Sequence, residues 1–378
     1  MNIDESEVIA IRRDIHAHPE ISFAEYRTTA VIVERLEALG LQPSVPSGGT
    51  GVICDIGDEG PLIALRADID ALPIDDAKSV PYRSTVSGAC HACGHDVHTA
   101  ILLGTAAVLV SMELPGRVRL IFQPGEEQIP GGALPMIAAG AMKDVETIFA
   151  LHCDPRVNVG RIGLRVGPIT AACDTLDVAL SGNGGHTGRP HLTADIIYAL
   201  GRLITDLPGL LSRRVDPRAS LSLVWGRIEA GNAPNAIPPV GTAQGTLRML
   251  DHEVWDAAEP LIRELVDEIV RPTGARAKVA YERGVPPVVN DVAGVEVQRA
   301  AVLAAFGPDA LGETVQSMGG EDFAWYLEHA PGSLARLGVR TPGASSSLDL
   351  HQSIFDIDEA ALAVGVRFMV HTALAALT

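Results

Sequence analysis

Two hydrophobic periods alternate along this chain, and the places where one yields to the other sketch its organisation. Residues 4–40 carry the helical period, with Ile11 and Ile15 on one face and, past the HAHPE interruption, Ala30, Val33 and Leu36 on the next. Short β-rich runs follow, each leading into polar residues. PLIALRADIDALP contains a buried strand running into Asp68 and Asp70, GRVRLIFQPGEE one running into Glu126 and Glu127, and ETIFALHCDP one running into His152. The stretch VHTAILLGTAAVLVSM is apolar all round, so it predicts a buried helix, with Asp96 placed to cap it. Apolar strands separated by helical or loop connections predict an open, mostly parallel α/β sheet, which places ligands at the carboxyl ends of its strands.

Near residue 170 the pattern changes. TLDVALSG reads as a strand, HLTADIIYALGRLITDLPGLLSR as a helix, SLSLVWGRIEAG and GTAQGTLRML as two strands, HEVWDAAEPLIRELVDEIV as a helix and ARAKVAYERG as a strand. The order β-α-β-β-α-β predicts a ferredoxin-like α+β domain of about a hundred residues. VPPVVND reads as a return linker, after which the helices VEVQRAAVLAAFG and DEAALAVGVRFMVHTALAALT and the polar loops MGGEDFAW and LDLHQSIFDID complete the chain. The expected organisation is one α/β domain over residues 1–169 and 285–378, interrupted by an inserted domain over 170–284.

Composition narrows the function classes. At 378 residues the chain exceeds one ordinary domain, and its hydrophobic content of 47% with only 4% aromatics means cores built from aliphatic side chains. A net charge of −18 opposes binding to nucleic acid or to anionic membranes. Five cysteines argue against a disulfide framework, no apolar run reaches membrane-spanning length, and the first residues are charged rather than signal-like. The expectation is a soluble, cytoplasmic protein.

The densest chemistry lies in GACHACGHDVH, residues 88–98. Cys93 and His95 project to the same side of an extended segment, and Gly94 between them leaves room for closure. A thiolate and an imidazole suit zinc, or manganese, cobalt or nickel if carboxylates complete the shell. The same stretch is also what a metal-free Cys/His loop feeding a helix looks like. Glu126 and Glu127 offer a division of labour, one carboxylate on a metal and the other at an activated water, which suits metal-assisted hydrolysis. His152, at a strand end, and His351, in the last polar loop, are the partners these groups would need.

Taken in order, RRDIHAHPEISFAEYRT, LRADIDALPI, HACGHDVHTA, FQPGEE, Leu151-His152, GGHTGRPH, PNAIP, GTLR, GGEDFAWYL and LHQSIFDIDE resemble the di-metal N-acyl-amino-acid amidohydrolases. These are the hippurate and indole-acetyl-amino-acid hydrolase branch of the aminoacylase/carboxypeptidase metallopeptidases. The resemblance runs nearly end to end. It implies two divalent metal ions held by Cys93, His95, Glu127, His152 and His351, with Glu126 as general base. It also implies that His186 stabilises the tetrahedral oxyanion, that Asn235 and Arg248 hold the substrate's carboxylate, and that the inserted domain is a lid that mediates a homodimer or larger homo-oligomer. Related carboxypeptidases carry a histidine ligand in the loop that here reads Arg66-Ala67-Asp68. Arg66 cannot ligate, so Cys93 is expected to compensate and Asp68 to orient the ligands from behind. His98 is a further candidate for that supporting layer. Cys54, Cys90, Cys153 and Cys173 are expected to be small core residues. The implied reaction is hydrolysis of the amide bond of N-acyl amino acids or similar small amides by a metal-activated water. Rival readings are a dipeptidase or carboxypeptidase of the same clan, a thiol hydrolase using Cys93 and His95, and a non-catalytic metal-binding protein.

Overall fold

The computed structural model describes residues 3–344 and 348–378. Along the chain run α1 (Glu5–Ala17), α2 (Tyr26–Ala38), β1 (Val52–Ile56), β2 (Leu62–Asp68), α3 (His95–Leu109), β3 (Arg117–Gln123), β4 (Thr147–Asn158) and β5 (Ile162–Leu164). Next come β6 (Ala172–Ser181), α4 (Ile196–Arg214), β7 (Ser222–Ala230), β8 (Val240–Met249), α5 (His252–Val270) and β9 (Arg276–Val285). Last are α6 (Val292–Phe306), β10 (Leu311–Glu313), β11 (Gly332–Arg340) and α7 (Ala360–Ala376). They form two compact units. One holds the described residues up to Ile169, Val288–Val315 and those from Asp322 onward; the other holds Thr170–Pro287 and Gln316–Glu321.

The first unit is built on a seven-stranded sheet in the order β1-β3-β2-β4-β11-β5-β10. Pairing is parallel from β3 through β2 and β4 to β11, and antiparallel at β1–β3 and β11–β5, so the sheet is open and mostly parallel. Helix α1 buries Val8, Ile11 and Ile15, the face its period demanded, and Asp4 caps it by accepting from the Glu7 amide at 3.1 Å. Helix α3 packs against α1, α7 and β2 and is buried except at Ala107, as expected of an all-round apolar helix.

Two local expectations are corrected. Asp96 does not cap α3: the cap position is Gly94, and Asp96 lies inside the first turn. Its carboxylate accepts from Arg12 Nε at 2.7 Å and stands 2.7 Å from Nδ1 of His16, because a buried guanidinium binds a carboxylate more strongly than free backbone amides do. His152 does not end its strand, since β4 runs on to Asn158. The reason is β11, a partner whose pairing continues past the point where β2 stops. The rule about strand ends still holds in space. Arg66 pairs with Ala150, so His152 lies level with Asp68 at the carboxyl end of β2, and Asp68 in turn pairs with Gln123 at the end of β3.

The second unit is a four-stranded antiparallel sheet in the order β9-β6-β8-β7 carrying α4 and α5, the ferredoxin-like arrangement. Both helices are amphipathic. Ile196, Ala199, Leu203, Leu207 and Leu211 of α4 are buried, as are Trp255, Ala258, Ile262, Leu265 and Ile269 of α5. Asp195 and Asp251 accept from the amides of Tyr198 and Val254 to start them. Asp195 therefore delays α4 beyond the HLT segment, where Pro190–Leu192 makes only a short 3-10 turn.

Candidate active site

The first unit brings Cys93, His95, Glu126, Glu127, His152 and His351 together. Gly94 lets the loop enter α3: its φ is +90°, and a Cβ there would lie 2.9 Å from Sγ of Cys153. Its neighbours on either side turn towards the strand ends. Sγ of Cys93 lies 3.5 Å from Nε2 of His152, whose Nδ1 donates to the Cys153 carbonyl at 2.8 Å and so leaves Nε2 with its lone pair. His95 donates from Nδ1 to the carbonyl and carboxylate of Asp70 at 3.0 and 3.1 Å. Its Nε2 is buried without a hydrogen-bond partner and faces Asp68 Oδ2, Glu127 Oε1 and Glu126 Oε2 at 3.7, 3.8 and 3.9 Å. His351 Nε2 stands 3.3 Å from Glu127 Oε1. The backbone of His351 sits in the left-handed region at φ +63°, tied down by its amide donating to the Ala92 carbonyl at 2.8 Å.

These donors fit metal ions. Ligand atoms of Cys93, His95 and His152 lie within 4.8 Å of one another, as do those of Cys93, Glu127 and His351, and those of His95, Glu126 and Glu127. Because the sets overlap at Cys93, His95 and Glu127, the residues could hold two neighbouring ions. An imidazole nitrogen buried among three carboxylates without a hydrogen-bond partner is a ligand geometry and a poor core geometry. The electrostatics agree. Burial alone would lower the His95 pKa, but Asp68, Asp70 and Glu127 outweigh it and raise it to about 10, so this pocket draws positive charge. Burial, followed by Glu127, Glu126 and Asp68, pushes the Cys93 thiol well up, which makes it a poor free nucleophile.

Behind the donors lies a charged layer that fixes them. Asp68 is wholly buried: Oδ1 accepts from His98 Nδ1 at 2.6 Å and Oδ2 from Arg66 at 2.6 Å. Burial pushes this carboxyl up, yet His95, His98 and Arg66 together hold it well below the usual range. His98 in turn accepts the Cys153 amide at Nε2, so its ring is locked at both nitrogens. Arg66 also donates to Gln123 at 2.9 Å and to Asp322 at 2.8 Å. Sequence reasoning noticed Asp70 only as the end of a strand, yet it gathers His95, the Ser22 hydroxyl at 2.6 Å and the Glu127 amide at 3.0 Å. The signal was the spacing, since Asp68 and Asp70 fall on one face of RADID.

A second buried group, His16, Asp76 and Cys90, also has ligand-type atoms close together. There the Lys78 ammonium already lies 3.1 Å from Asp76 and 3.6 Å from Cys90, and burial raises the Cys90 thiol to about 11, so the group is a charge-balanced core.

The second unit carries His186, Asn235 and Arg248. Gly185–His186 pairs with Ala236–Ile237, which sets His186 beside Asn235, and the His186 ring is exposed with Nδ1 accepting the Gly188 amide. Arg248 lies on β8 opposite Cys173 and donates to the Met318 carbonyl at 3.1 Å.

Comparison with known proteins follows the same lines. The sequence model described as peptidase family M20/M25/M40 matches residues 64–375. A putative glutamate–cysteine ligase 2-3 of Rhodococcus jostii is 49% identical over 369 residues; the match takes in 97% of this chain but only 46% of that protein's length. N-acetyl-L-cysteine deacetylase of Bacillus subtilis is 39% identical over 98% of this chain and 88% of its own. Among solved structures, the Bacillus subtilis YxeP protein, described as a dinuclear metal binding peptidase from the M20 family, superposes with a TM-score of 0.87 at 35% identity, covering 99% and 98% of the two chains.

Proposed function

The chain belongs to peptidase family M20/M25/M40, and we propose that it hydrolyses the amide bond of N-acyl amino acids or similar small amides. The observation that carries this reading is the unpartnered, buried Nε2 of His95 set among Glu126, Glu127 and the Cys93 group. Cys93, His95, Glu127, His152 and His351 would hold two divalent ions, which would supply Lewis acidity at the scissile carbonyl and acidify water; zinc, manganese, cobalt and nickel all suit this mixed donor set. Glu126 takes the proton from the attacking water and returns it to the leaving amine. Asp68, with Arg66 and His98 behind it, and Asp70 keep the donors aimed. A non-catalytic metal protein would have no use for Glu126, and a thiol hydrolase would not raise the pKa of its own nucleophile.

His186 is proposed to donate to the developing oxyanion, and Asn235 and Arg248 to hold the substrate's carboxylate. Arg248 lies opposite Cys173 and Val240 opposite Ser181 in the β6–β8 pairing, while Ala236 lies opposite His186 in a separate two-stranded pairing. At about 3.3 Å per extended residue, the stretch from Ala236 to Arg248 can span about 40 Å. An extended path of that length disfavours one protomer's Asn235 and Arg248 closing on the same small carboxylate. A homodimer, in which each site draws His186 and Asn235 from the partner, accommodates both roles. The edge strand β7 suits such pairing, since Val224 and Ile228 on it are 64% and 53% exposed. Five free thiols suit a cytoplasmic enzyme. Among the described residues no helix is long and apolar enough to cross a membrane.

The test is a panel of N-acyl amino acids and the matching N-acyl amino amides, assayed after chelation and after metal reloading. Chelation should abolish turnover and reloading restore it. A fully metallated protein inert towards every member would end the proposal. In the same panel Arg248→Ala should lower kcat/KM on the acids by roughly 10²-fold, about 2.7 kcal/mol, and leave the amides nearly unchanged. Equal losses on both would remove Arg248 from carboxylate recognition. Cobalt(II) loading should produce a thiolate-to-metal charge-transfer band that disappears in Cys93→Ser. Its absence in the loaded parent protein would take Cys93 out of the ligand set.

A further inference from the structure

Apart from the Ser22 bond to Asp70, residues 19–25, the stretch PEISFAE between α1 and α2, have no part in the roles above, yet they grip both chain turns that deliver the chemistry. On the β2 side, the Ala71 amide donates to the Glu20 carbonyl at 2.8 Å, Ile21 bridges Ala71, and Ser22 donates to Asp70. On the β3 side, Glu25 Oε1 accepts the Gly125 amide at 2.8 Å, one residue before Glu126. The same oxygen accepts the Phe23 amide at 2.9 Å. Gly125 is at φ +65°, and a Cβ on it would meet the Phe23 ring at 2.6 Å, so ring and turn are fitted together. Phe23 itself is held at φ +63°, a conformation that costs a bulky residue energy and persists only where its surroundings impose it. Glu25 is 0% exposed, and its Oε2 is buried without a hydrogen-bond partner.

A fully buried carboxyl with one oxygen unused is an expensive way to staple a loop. Its Oε1 is committed to setting the Phe23 and Gly125 peptides. We infer that Glu25 is a positioning residue for Glu126 and Glu127: through the Gly125 amide it sets the height and direction at which the Pro124-Gly125 turn presents both carboxylates to the His95 nitrogen. This rests on the reading that Glu126 moves the proton and Glu127 holds an ion. Burial, with the charge of Asp70 added, raises the Glu25 carboxyl to about 7. Protonated or not, the group offers the same oxygen to the two amides, so reach rather than charge is what the position requires.

The experiment separates reach from charge. Glu25→Asp keeps the charge but is one methylene short; Glu25→Gln keeps the reach and loses the charge. Both are titrated with cobalt(II), followed by visible absorption, and both are assayed with an N-acyl amino acid well below their melting temperatures. Glu25→Asp should lose roughly 10–100-fold in cobalt affinity and in kcat, with KM little changed, because displaced carboxylates cost binding and rate by such factors. Glu25→Gln should stay within about threefold of the parent in both. Parental cobalt affinity and kcat in Glu25→Asp would overturn the inference, as would a loss in Glu25→Gln equal to or larger than that in Glu25→Asp, or a loss confined to melting temperature. If the parent protein turns over no N-acyl amino acid while the cobalt titrations behave as expected, the proposed reaction falls and the positioning role stands.

Discussion

Glu126→Gln is expected to keep its metals and lose nearly all turnover, by roughly 10²–10⁴ in kcat, or about 2.7–5.5 kcal/mol of barrier. The amide preserves the shape of the side chain and removes the basicity a proton carrier needs. Glu127→Gln should behave differently, with metal affinity falling together with rate. The proposed split rests on what surrounds each neighbour. Glu127 has its amide pinned to Asp70 and its Oε1 3.8 Å from His95 and 3.3 Å from His351, among donor atoms. Glu126 approaches the same His95 nitrogen at 3.9 Å, while Cys93 and His351 group with Glu127. Metal content by elemental analysis alongside single-turnover rates decides the matter. Near-parental kcat in fully metallated Glu126→Gln would reassign the base.

Arg66→Met should be the most destabilising single change in the first unit. The guanidinium is wholly buried and spends its donors on Asp68, Gln123 and Asp322. Asp322 also takes the Gln123 amide group and the Ala133 backbone amide, so it cannot turn to another cation. Removing the arginine takes the shared cation from two buried carboxylates, and breaking such a pair costs about 3–5 kcal/mol. The sign with pH follows from the Asp68 carboxyl, which is held below the usual range partly by Arg66. A lowered carboxyl contributes stability at neutral pH that is lost as pH falls through its folded value. The gap between parent and variant should therefore be widest near neutrality and narrow in acid, as protonation relieves the uncompensated charge. Thermal midpoints of both proteins across that range test it, and equal midpoints at neutral pH would show that the network carries no stability.

Much of this could be read from short stretches. The helical period of residues 4–40 placed α1 and α2, the apolar runs placed β2 and β3, and the order of elements after residue 170 specified the ferredoxin-like unit, because each depends on neighbours a few residues apart. Cys93 with His95 and the Glu126-Glu127 pair were legible as chemistry for the same reason: donor type and spacing are local properties. What could not be read was partnership across long separations. Asp96 looked like a helix cap because nothing nearby reveals Arg12, 84 residues away. His152 looked like a strand end because β11, which carries β4 onward, was not recognised as a strand. Arg66 was legible only as a residue that cannot ligate, because Asp322, which shares its ion network, lies 256 residues on.

Glu25 is the clearest case, a carboxylate in an unremarkable PEISFAE segment whose partner is the amide of Gly125, 100 residues later. By itself the sequence determined which elements form, which of their faces are apolar and which side chains can bear the chemistry. Only the tertiary structure decided which buried charge faces which, and with that where each donor points. Hydrophobic period is set by the geometry of a few residues of backbone. A charge taken out of water must instead be matched by whatever opposite charge or dipole the folded chain brings within about 3 Å, and a linear pattern does not encode that choice.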